Sequence, residues 1–245
     1  MNTKQLYSED AYLKDCHAKI LKIHNNGNQK KSGKSIILDK TVLQPQNRDG
    51  GDKGIIKNIN GEMIVKKVVK NNGNGIILHN GKIKGSLIEG DEVTVNLDWN
   101  VRYIQMRKHD MFHLFYSCAR EIVGQDFLAL SKISIGTSYT DWLDKVDLDV
   151  ETINKSLEMA NEVIKEDREI SIKILPRKEA LNICGDFFSN IIPKNTETLR
   201  LVTIEGFKPD PCIGLHVRKT GEIGSFNIQK IEKQSSNLRI YADFN

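Results

Sequence analysis

Four side chains have the types and spacing of ligands for a transition metal. His109 and His113 lie four residues apart in a stretch predicted to be helical, where that spacing places both rings on one face. Cys212 and His216 repeat the spacing in a predicted loop far downstream. A thiolate with imidazoles suits zinc, which is redox-inert and prefers tetrahedral nitrogen and sulfur ligands. We therefore predict that these four residues bind one zinc ion.

A second interpretation is that the helix histidines pack in a core and that Cys212 and His216 are an unrelated pair. The remaining histidines are interpreted as ordinary residues of a β domain: His17, His24 and His79. Cys16 and the histidine after it are not expected to share a metal, because neighbours on a strand point to opposite faces. Cys118 and Cys184 are predicted to be small buried apolar side chains.

The histidine pair requires a long helix, and its surroundings predict one. Residues 103 to 123 contain no Gly or Pro, apolar residues recur at helical spacing, and Gly124 is a plausible stop. A second helix is predicted over residues 150 to 166, and a third opens at Pro176 and runs toward Cys184. The strands predicted around these helices cover residues 169–175, 199–204, 224–231 and 238–242.

The first hundred or so residues predict short strands separated by turns. The β-prone runs are residues 18–23, 35–38, 63–69, 75–78 and 93–97. Asn-Gly between such runs favours hairpins, and it occurs at Asn60-Gly61 and Asn80-Gly81, with related clusters at residues 25–27 and 71–73. Many short strands with frequent turns are typical of a small barrel or a sandwich.

Composition excludes some classes of protein and leaves others open. At 245 residues, 39% hydrophobic and 28% charged, the chain is expected to be globular rather than disordered. The net charge of +4 permits a nucleic-acid partner without requiring one. The four scattered cysteines and the absence of an apolar leader favour a reduced cytoplasm. No apolar run approaches the ~20 residues that span a bilayer, so no membrane partner is expected.

Several segments resemble a known family. Residues 98–113, Asp-Trp-Asn-Val-Arg-Tyr-Ile-Gln-Met-Arg-Lys-His-Asp-Met-Phe-His, resemble the start of the editing domain of alanyl-tRNA synthetase. Residues 204–224, with Cys-Ile-Gly-Leu-His-Val-Arg-Lys-Thr-Gly-Glu-Ile-Gly at their end, resemble a later part of it, and residues 6–13 resemble the N-terminal strand of the family. The sequence is identified as a member of the free-standing alanyl-tRNA editing family of the AlaX type.

The resemblance implies a fold and an activity. The expected fold is α+β: a small β-barrel over residues 1–98, resembling the second domain of translation elongation factors, then an α/β two-layer zinc-containing editing domain over residues 99–245. The expected activity is hydrolysis of the ester in tRNA(Ala) mischarged with serine or glycine. The four zinc ligands would then be catalytic, because zinc polarises carbonyls and activates water and because an aminoacyl ester is already labile.

Two segments depart from the family pattern. The family has a glycine-rich loop that is expected to contact the acylated end of tRNA; here Gly50, Gly51 and Asp52 remain, but the glutamine after the glycines is missing. These three residues are predicted to bind substrate, and a tight surface turn is an equal alternative. The family segment Cys-Gly-Gly-Thr-His is Cys-Ile-Gly-Leu-His here, which suggests either degeneration or a shifted substrate.

Further residues are predicted to hold the substrate. A serine hydroxyl needs a polar partner, and Ser131 is the favoured one among the hydroxyls that follow the long helix. Phosphate contacts are predicted from the basic residues beside the ligands: Arg107, Lys108, Arg218 and Lys219. His216 is expected to be the ligand that yields to substrate or water, because four protein ligands leave no open position on a tetrahedral ion.

Two other functions stay open at this point. One is a catalytically degenerate, zinc-stabilised tRNA-binding module. The other is an unrelated metallohydrolase acting on a different ester or amide. The oligomeric state is not indicated by the sequence.

Overall fold

The computed structural model describes residues 2–26, 33–71, 75–143, 149–234 and 237–245. The chain divides into two units, Met1–Gln105 and Met106–Asn245. The domain boundary predicted from the sequence, between residues 98 and 99, stays a prediction.

The first unit is built from short strands whose side chains alternate between the interior and solvent. In chain order the strands are β1 (Lys4–Gln5), β2 (Asp15–Asn26), β3 (Gly33–Leu38), β4 (Lys40–Thr41), β5 (Gly54–Lys57), β6 (Gly61–Lys70), β7 (Ile77–Gly85) and β8 (Glu92–Leu97). Six of them close into an antiparallel barrel in the order β2-β3-β7-β6-β5-β8. The predicted N-terminal barrel is therefore confirmed, and the sandwich is excluded.

The barrel interior combines apolar side chains with a fully buried histidine. Ile36, Ile56 and Met63 are fully buried in the core of this unit. His79 is also fully buried, and its ring nitrogens lie 2.9 Å from the Thr41 hydroxyl and 3.0 Å from the Ile36 carbonyl oxygen. Both nitrogens therefore have partners, as a buried polar group requires.

The Asn-Gly pairs have different outcomes. Asn60-Gly61 lies in the turn between β5 and β6, as predicted, and the Asn58 N–H donates to the Gly61 carbonyl at 3.0 Å. The turn predicted at Asn80-Gly81 is wrong, because both residues lie inside β7 opposite a bulge of β6. A side chain at Gly81 would lie 2.1 Å from the Ile64 carbonyl oxygen, so glycine serves close strand approach there. The clusters at residues 25–27 and 71–73 lie partly outside the described residues.

The long helix begins earlier than the sequence pattern indicated. This helix, α1 (Trp99–Val123), starts four residues before the predicted position, where the Asp98 carboxylate accepts the Val101 N–H at 3.3 Å. It ends at Gly124, which has φ +74° and donates its N–H to Arg120, so the predicted stop is confirmed. The apolar stripe used for the prediction begins only at residue 103, which explains the late start.

The second unit combines helices with two antiparallel sheets. After α1 its elements are β9 (Leu128–Lys132), β10 (Tyr139–Leu143), α2 (Val150–Lys165), β11 (Ile170–Pro176), α3 (Arg177–Cys184), β12 (Thr198–Ile204), β13 (Asp210–Pro211), β14 (Phe226–Lys233) and β15 (Asn237–Phe244). The sheets have the orders β14-β15-β10-β9 and β11-β12-β13. The α+β class, the three helices and the four predicted strands are confirmed, whereas β9 and β10 were not predicted.

Aromatic side chains attach α1 to the four-stranded sheet. The Phe115 ring of α1 lies 4.9 Å from the Trp142 ring on β10 and 6.1 Å from the Phe226 ring on β14. Cys118 and Cys184 are fully buried, as predicted. Helix α2 buries one face that includes Ile153 and Ala160. This packing fixes the helix that carries the histidine pair.

The chain has two tryptophans. Trp99 belongs to the first unit, where its ring stacks on Tyr103 at 5.3 Å and Lys14 Nζ lies 4.7 Å from its centroid. Trp142 belongs to the second unit and is 2% exposed. Within the part of the chain that the structure describes, no helix has the length and apolar character needed to cross a membrane.

Candidate metal centre

Helix α1 places two of the candidate ligands on one face. His109 and His113 are one turn apart, and their ring centroids are separated by 4.6 Å. His109 is 5% exposed, and the His113 side chain is 18% exposed. The spacing alone predicted this arrangement, because residues four apart on a helix lie one above the other.

Strand β13 delivers the cysteine. Cys212 follows β13 directly, and its N–H continues the pairing with β12 by donating to the Arg200 carbonyl at 3.0 Å. The Arg200 guanidinium donates in return to the Cys212 carbonyl oxygen at 2.8 Å. The backbone on both sides of the thiol is therefore fixed by the sheet.

The four donor atoms converge on one point. Cys212 Sγ lies 3.1 Å from His109 Nε2 and 3.3 Å from His113 Nε2. One ligand atom from each of these residues and from His216 lies within 4.8 Å of all the others. A tetrahedral zinc ion with its usual bond lengths requires donor separations of roughly 3.3 to 3.6 Å. The predicted convergence is confirmed, and its dimensions are close to those of a zinc site.

Two further observations fit an ion at this point. His216 Nε2 is buried and has no hydrogen-bond partner among the described residues, which is unusual for a buried polar atom. A Cβ atom on Gly214 would lie 2.4 Å from His109 Nε2, so only glycine lets the backbone pass this close to the donor atoms. The Gly214 N–H also points to Cys212 Sγ at 3.3 Å, a contact typical of metal thiolates.

Asp110 holds the fourth ligand. The Asp110 side chain is fully buried and accepts the His216 Nδ1–H at 2.6 Å, so that the lone pair of that ring is on Nε2. Its second oxygen accepts the Val217 N–H at 2.7 Å. A carboxylate behind a metal-binding imidazole fixes the tautomer and the ring orientation. We did not predict this residue, although a carboxylate between two helix histidines was a usable signal.

Asp210 lies near another candidate ligand, but at a longer distance. Its carboxylate is 3.9 Å from His113 Nδ1 and accepts a hydrogen bond from Arg120 Nη1 at 2.7 Å. Arg120 also donates to the Lys208 carbonyl oxygen at 2.7 Å. Through these contacts of Arg120, α1 is linked to the segment that precedes Cys212.

The cluster favours a thiolate. Burial raises the pKa of Cys212, but His109, His113 and His216 outweigh it and hold that pKa well below its usual value. Burial lowers the pKa of His113, but the Cys212 thiolate and Asp210 outweigh it and raise that pKa to about 9. A divalent cation binds the thiolate and neutral imidazoles, so an ion bound here would displace the proton of His113.

The ligand expected to yield does not fit its surroundings. The His216 side chain is fully buried and held by Asp110, whereas His113 is the more exposed imidazole. A ligand fixed by a buried carboxylate is the least suited to leave. We therefore withdraw the expectation for His216 and assign the more accessible position to His113.

One of the four predicted tRNA contacts, that of Lys108, is corrected. Lys108 is 2% exposed, and its ammonium group contacts the Gly136 carbonyl oxygen at 2.7 Å and Asp243 at 3.0 Å. Arg107 donates twice to the Ile223 carbonyl oxygen, at 3.0 and 2.8 Å, and covers the Phe244 ring. Lys108 therefore serves the interior of the unit, whereas Arg107 is half-buried and stays a prediction. Arg218 and Lys219 are exposed and stay predictions.

The predicted substrate loop is anchored inside the first unit. The Asp52 carboxylate is buried, pairs with Arg102, and accepts the Gln44 N–H at 2.5 Å. This pairing corrects the assignment of Asp52 as a substrate-binding residue. Gly50 has φ +103°, and a Cβ there would meet the Gln105 side chain at 2.5 Å.

Gly51 and Ser131 stay candidates for substrate contact, as does Gly50. The Gly51 carbonyl oxygen accepts the Gln105 amide at 3.2 Å, which fixes the backbone of the loop. Ser131 is half-buried on β9, an edge strand of the four-stranded sheet, opposite Thr140.

Comparison with known proteins defines the class first. The family profile "Threonyl and Alanyl tRNA synthetase second additional domain" matches residues 199–241, which include Cys212 and His216. Alanyl-tRNA editing protein AlaX-M of Saccharolobus solfataricus is 34% identical over 98% of this chain and 98% of its own. AlaX-L of Pyrococcus horikoshii is 29% identical over 96% of this chain and 56% of its own. Alanine–tRNA ligase of Staphylothermus marinus is 32% identical over 94% of this chain and 24% of its own.

The chain belongs to the family of alanyl-tRNA editing proteins, which is homologous to a part of alanine–tRNA ligases. The resemblance seen in the residues is therefore confirmed. The chain spans nearly the full length of the first relative, about half of the second and about a quarter of the ligase.

Proposed function

We propose that the chain is a trans-editing hydrolase that deacylates mischarged tRNA(Ala). Ser-tRNA(Ala) is the first candidate substrate and Gly-tRNA(Ala) the second. The observation that carries the proposal is the convergence of His109, His113, Cys212 and His216 in a chain of the alanyl-tRNA editing family. The names of the relatives support tRNA(Ala) as the partner.

The four residues would hold zinc, and the ion when bound supplies a Lewis acid for the ester carbonyl or an attacking water. Asp110 keeps the His216 ring in one tautomer and one orientation. The Cys212 backbone stays in place through its two hydrogen bonds with Arg200. His113 is the more accessible of the imidazoles, and we assign to it the side from which substrate or water would enter.

Deacylation assays test this proposal. Purified protein loaded with zinc is expected to release serine from Ser-tRNA(Ala), to leave Ala-tRNA(Ala) intact, and to lose activity with a chelator. His113→Ala is expected to lower hydrolysis, whereas His24→Ala, which changes an exposed histidine of the barrel, is the matched control. Zinc-independent hydrolysis would contradict the role of the ion, and release of alanine at the same rate would contradict editing.

A second candidate function has an observation in its favour. Four protein ligands complete a tetrahedral shell, which is typical of structural rather than catalytic zinc. The buried Leu215 next to His216 adds to the enclosure. The alternative is a catalytically degenerate, zinc-stabilised tRNA-binding module, and binding of tRNA(Ala) without hydrolysis of any charged form would favour it.

A further inference from the structure

The positive charge of the chain is concentrated in its first unit. Residues 1–105 contain 17 Lys and Arg against 11 Asp and Glu. The remaining residues contain 19 against 21. The net charge of +4 therefore conceals a basic barrel unit and a second unit that is slightly acidic. Clustered charge of this kind, rather than the total, marks a partner of opposite charge.

Within the barrel, basic side chains gather on the outer side of β5, β6 and β7. We name this surface the lysine face, and its residues are exposed: Lys53, Lys57, Lys66, Lys67, Lys82 and Lys84. Strand pairing aligns outward-facing residues of β5, β6 and β7 in rows across the sheet. One row is Lys57, Glu62 and Lys84, and the neighbouring row is Ile55, Ile64 and Lys82. Neighbouring strands are about 4.8 Å apart and alternate residues about 7 Å, so the ammonium groups are spread over a broad surface.

The lysine face has little acidic compensation. Glu62 is the one carboxylate in its two rows, and none of the six ammonium groups has a recorded ion pair with a described residue. Elsewhere exposed lysines do have such partners, as in Lys155–Glu151, Lys165–Glu162 and Lys230–Glu232. Uncompensated like charges repel each other, so this arrangement lowers stability unless an anion binds there.

The shape of this surface suits an extended partner. A groove of about 720 Å³ adjoins the rows, and its lining includes Lys53, Lys66, Ile55 and Ile64. One carboxylate also lines it, that of Asp98, which accepts the Val101 N–H at the start of α1. Ile64 is 53% exposed, so apolar contact is available between the charges. Among the described residues, no aromatic or guanidinium group lines the groove for stacking or reading bases, whereas flexible lysines suit phosphates at any sequence.

We propose that the lysine face binds the sugar-phosphate backbone of tRNA, with the ammonium groups on phosphates and the isoleucines against ribose. The inference rests on the proposed function for the identity of the polyanion. It replaces the buried Lys108 with a set of lysines that are accessible. Contacts of this kind add affinity that depends on salt and carry no sequence information.

The experiment measures binding of uncharged tRNA(Ala) by fluorescence anisotropy between about 50 and about 200 mM salt. The variant is Lys57→Gln/Lys82→Gln/Lys84→Gln, and the matched control is Lys155→Gln/Lys165→Gln/Lys230→Gln, which removes three exposed, ion-paired lysines of the other unit. The lysine-face variant is expected to bind about tenfold or more weakly at the low salt concentration. Its slope of log affinity against log salt is expected to fall by about 2 to 3.

The outcomes separate this inference from the proposed function. An unchanged slope, or an equal change in the control variant, would overturn the role of the lysine face whether or not the protein deacylates tRNA. A reduced slope in a protein that hydrolyses no charged tRNA would keep the face and reject the hydrolase. If the variant loses binding to phosphatidylglycerol vesicles but not to tRNA, the surface serves a membrane and the inference fails. Circular dichroism of both variants checks that they fold.

Discussion

Asp110 holds two neighbouring residues with one side chain, since it accepts hydrogen bonds from the His216 ring and from the Val217 N–H. Both partners lie at the end of the Cys-Ile-Gly-Leu-His segment. The carboxylate therefore fixes the orientation of the His216 ring. Removing such a group is known to cost metal affinity while leaving the ligands in place.

We predict that Asp110→Asn lowers zinc affinity by about 10- to 100-fold. The amide has nearly the same shape, so the variant is expected to fold. Asp141→Asn is the matched control, because it also removes a carboxylate with little exposure, here from the pair with Arg239. Competition with a chromophoric chelator measures the affinities, and equal values for the wild type and Asp110→Asn would show that the carboxylate does not position His216.

Residue 214 must be glycine because the backbone there passes close to the His109 ring. We predict that Gly214→Ala lowers zinc affinity by about tenfold or more. The added Cβ would lie only 2.4 Å from His109 Nε2 and would push the ring out of place. Gly136→Ala is the control, because the nearest atom to its added Cβ is 4.0 Å away. The same competition assay applies. Full zinc affinity in Gly214→Ala would mean that the segment shifts to make room.

The substitution beside Gly214 has a different consequence. The family segment has two glycines, and this chain has Ile213 in place of the first. Ile213 is 82% exposed, so its side chain points into solvent and does not crowd the ligands. Only the second position approaches a donor atom, and there glycine is kept.

At the scale of elements, the pattern of residues predicted most of the helices and strands that position the candidate ligands. The apolar stripe of α1 and the four-residue spacing predicted the histidine pair, because both depend on helix periodicity alone. The β9–β10 pair was missed since its strands are short and lie between Gly, Ser and Thr residues that resemble loop sequence. The contacts of Asp110 and Asp210 with the histidines could not be derived from spacing, because the partners come from segments far apart in the chain.

The barrel contains a titratable group that should make its stability depend on pH. Burial, partly offset by the hydrogen bond that the His79 ring donates to the Ile36 carbonyl oxygen, lowers the pKa of His79 to about 4 from its usual 6.5. The unfolded chain therefore binds this proton first as pH falls. His79 stabilises the fold in full above about pH 6.5, and the contribution is lost as pH falls toward 4.

We predict that the His79 contribution to the free energy of unfolding falls by about 3 kcal/mol between neutral pH and pH 4. His79→Asn removes the titrating ring and is expected to flatten the pH dependence by that amount. His24→Asn, an exposed strand position, is the control and should retain the wild-type slope. Urea unfolding followed by circular dichroism measures both, and parallel curves for His79→Asn and wild type would contradict the assignment.

At the scale of the whole molecule, zinc is expected to stabilise the folded chain. An ion that binds only the native state adds free energy that grows with its concentration, about 2.7 kcal/mol at 100 times the dissociation constant. We predict that a chelator lowers the calorimetric transition temperature of the wild type. The change should be absent in Cys212→Ser/His216→Ala. A chelator effect that persists in this double variant would indicate that another site holds the metal.

Fold and family could be predicted from the sequence, whereas the surface proposed to bind tRNA could not. The ligand motif occupies short stretches with fixed spacing, so it can be recognised directly. Whether a basic residue beside the motif reaches solvent depends on packing, which spacing does not predict. The prediction for Lys108 failed for this reason, since three oxygen acceptors within its unit surround its ammonium group. The lysines of the barrel are spread over three strands and come together only through strand register.

The two tryptophans lie in different units, so the fluorescence of each unit can be observed separately. With Trp99 stacked on a tyrosine in the first unit and Trp142 buried in the second, each unit contains a single indole fluorophore. Trp99→Phe would leave emission from the unit that holds the metal ligands, and Trp142→Phe would leave emission from the barrel. Quenching and spectral shifts could then be assigned to zinc or to tRNA without attaching a dye.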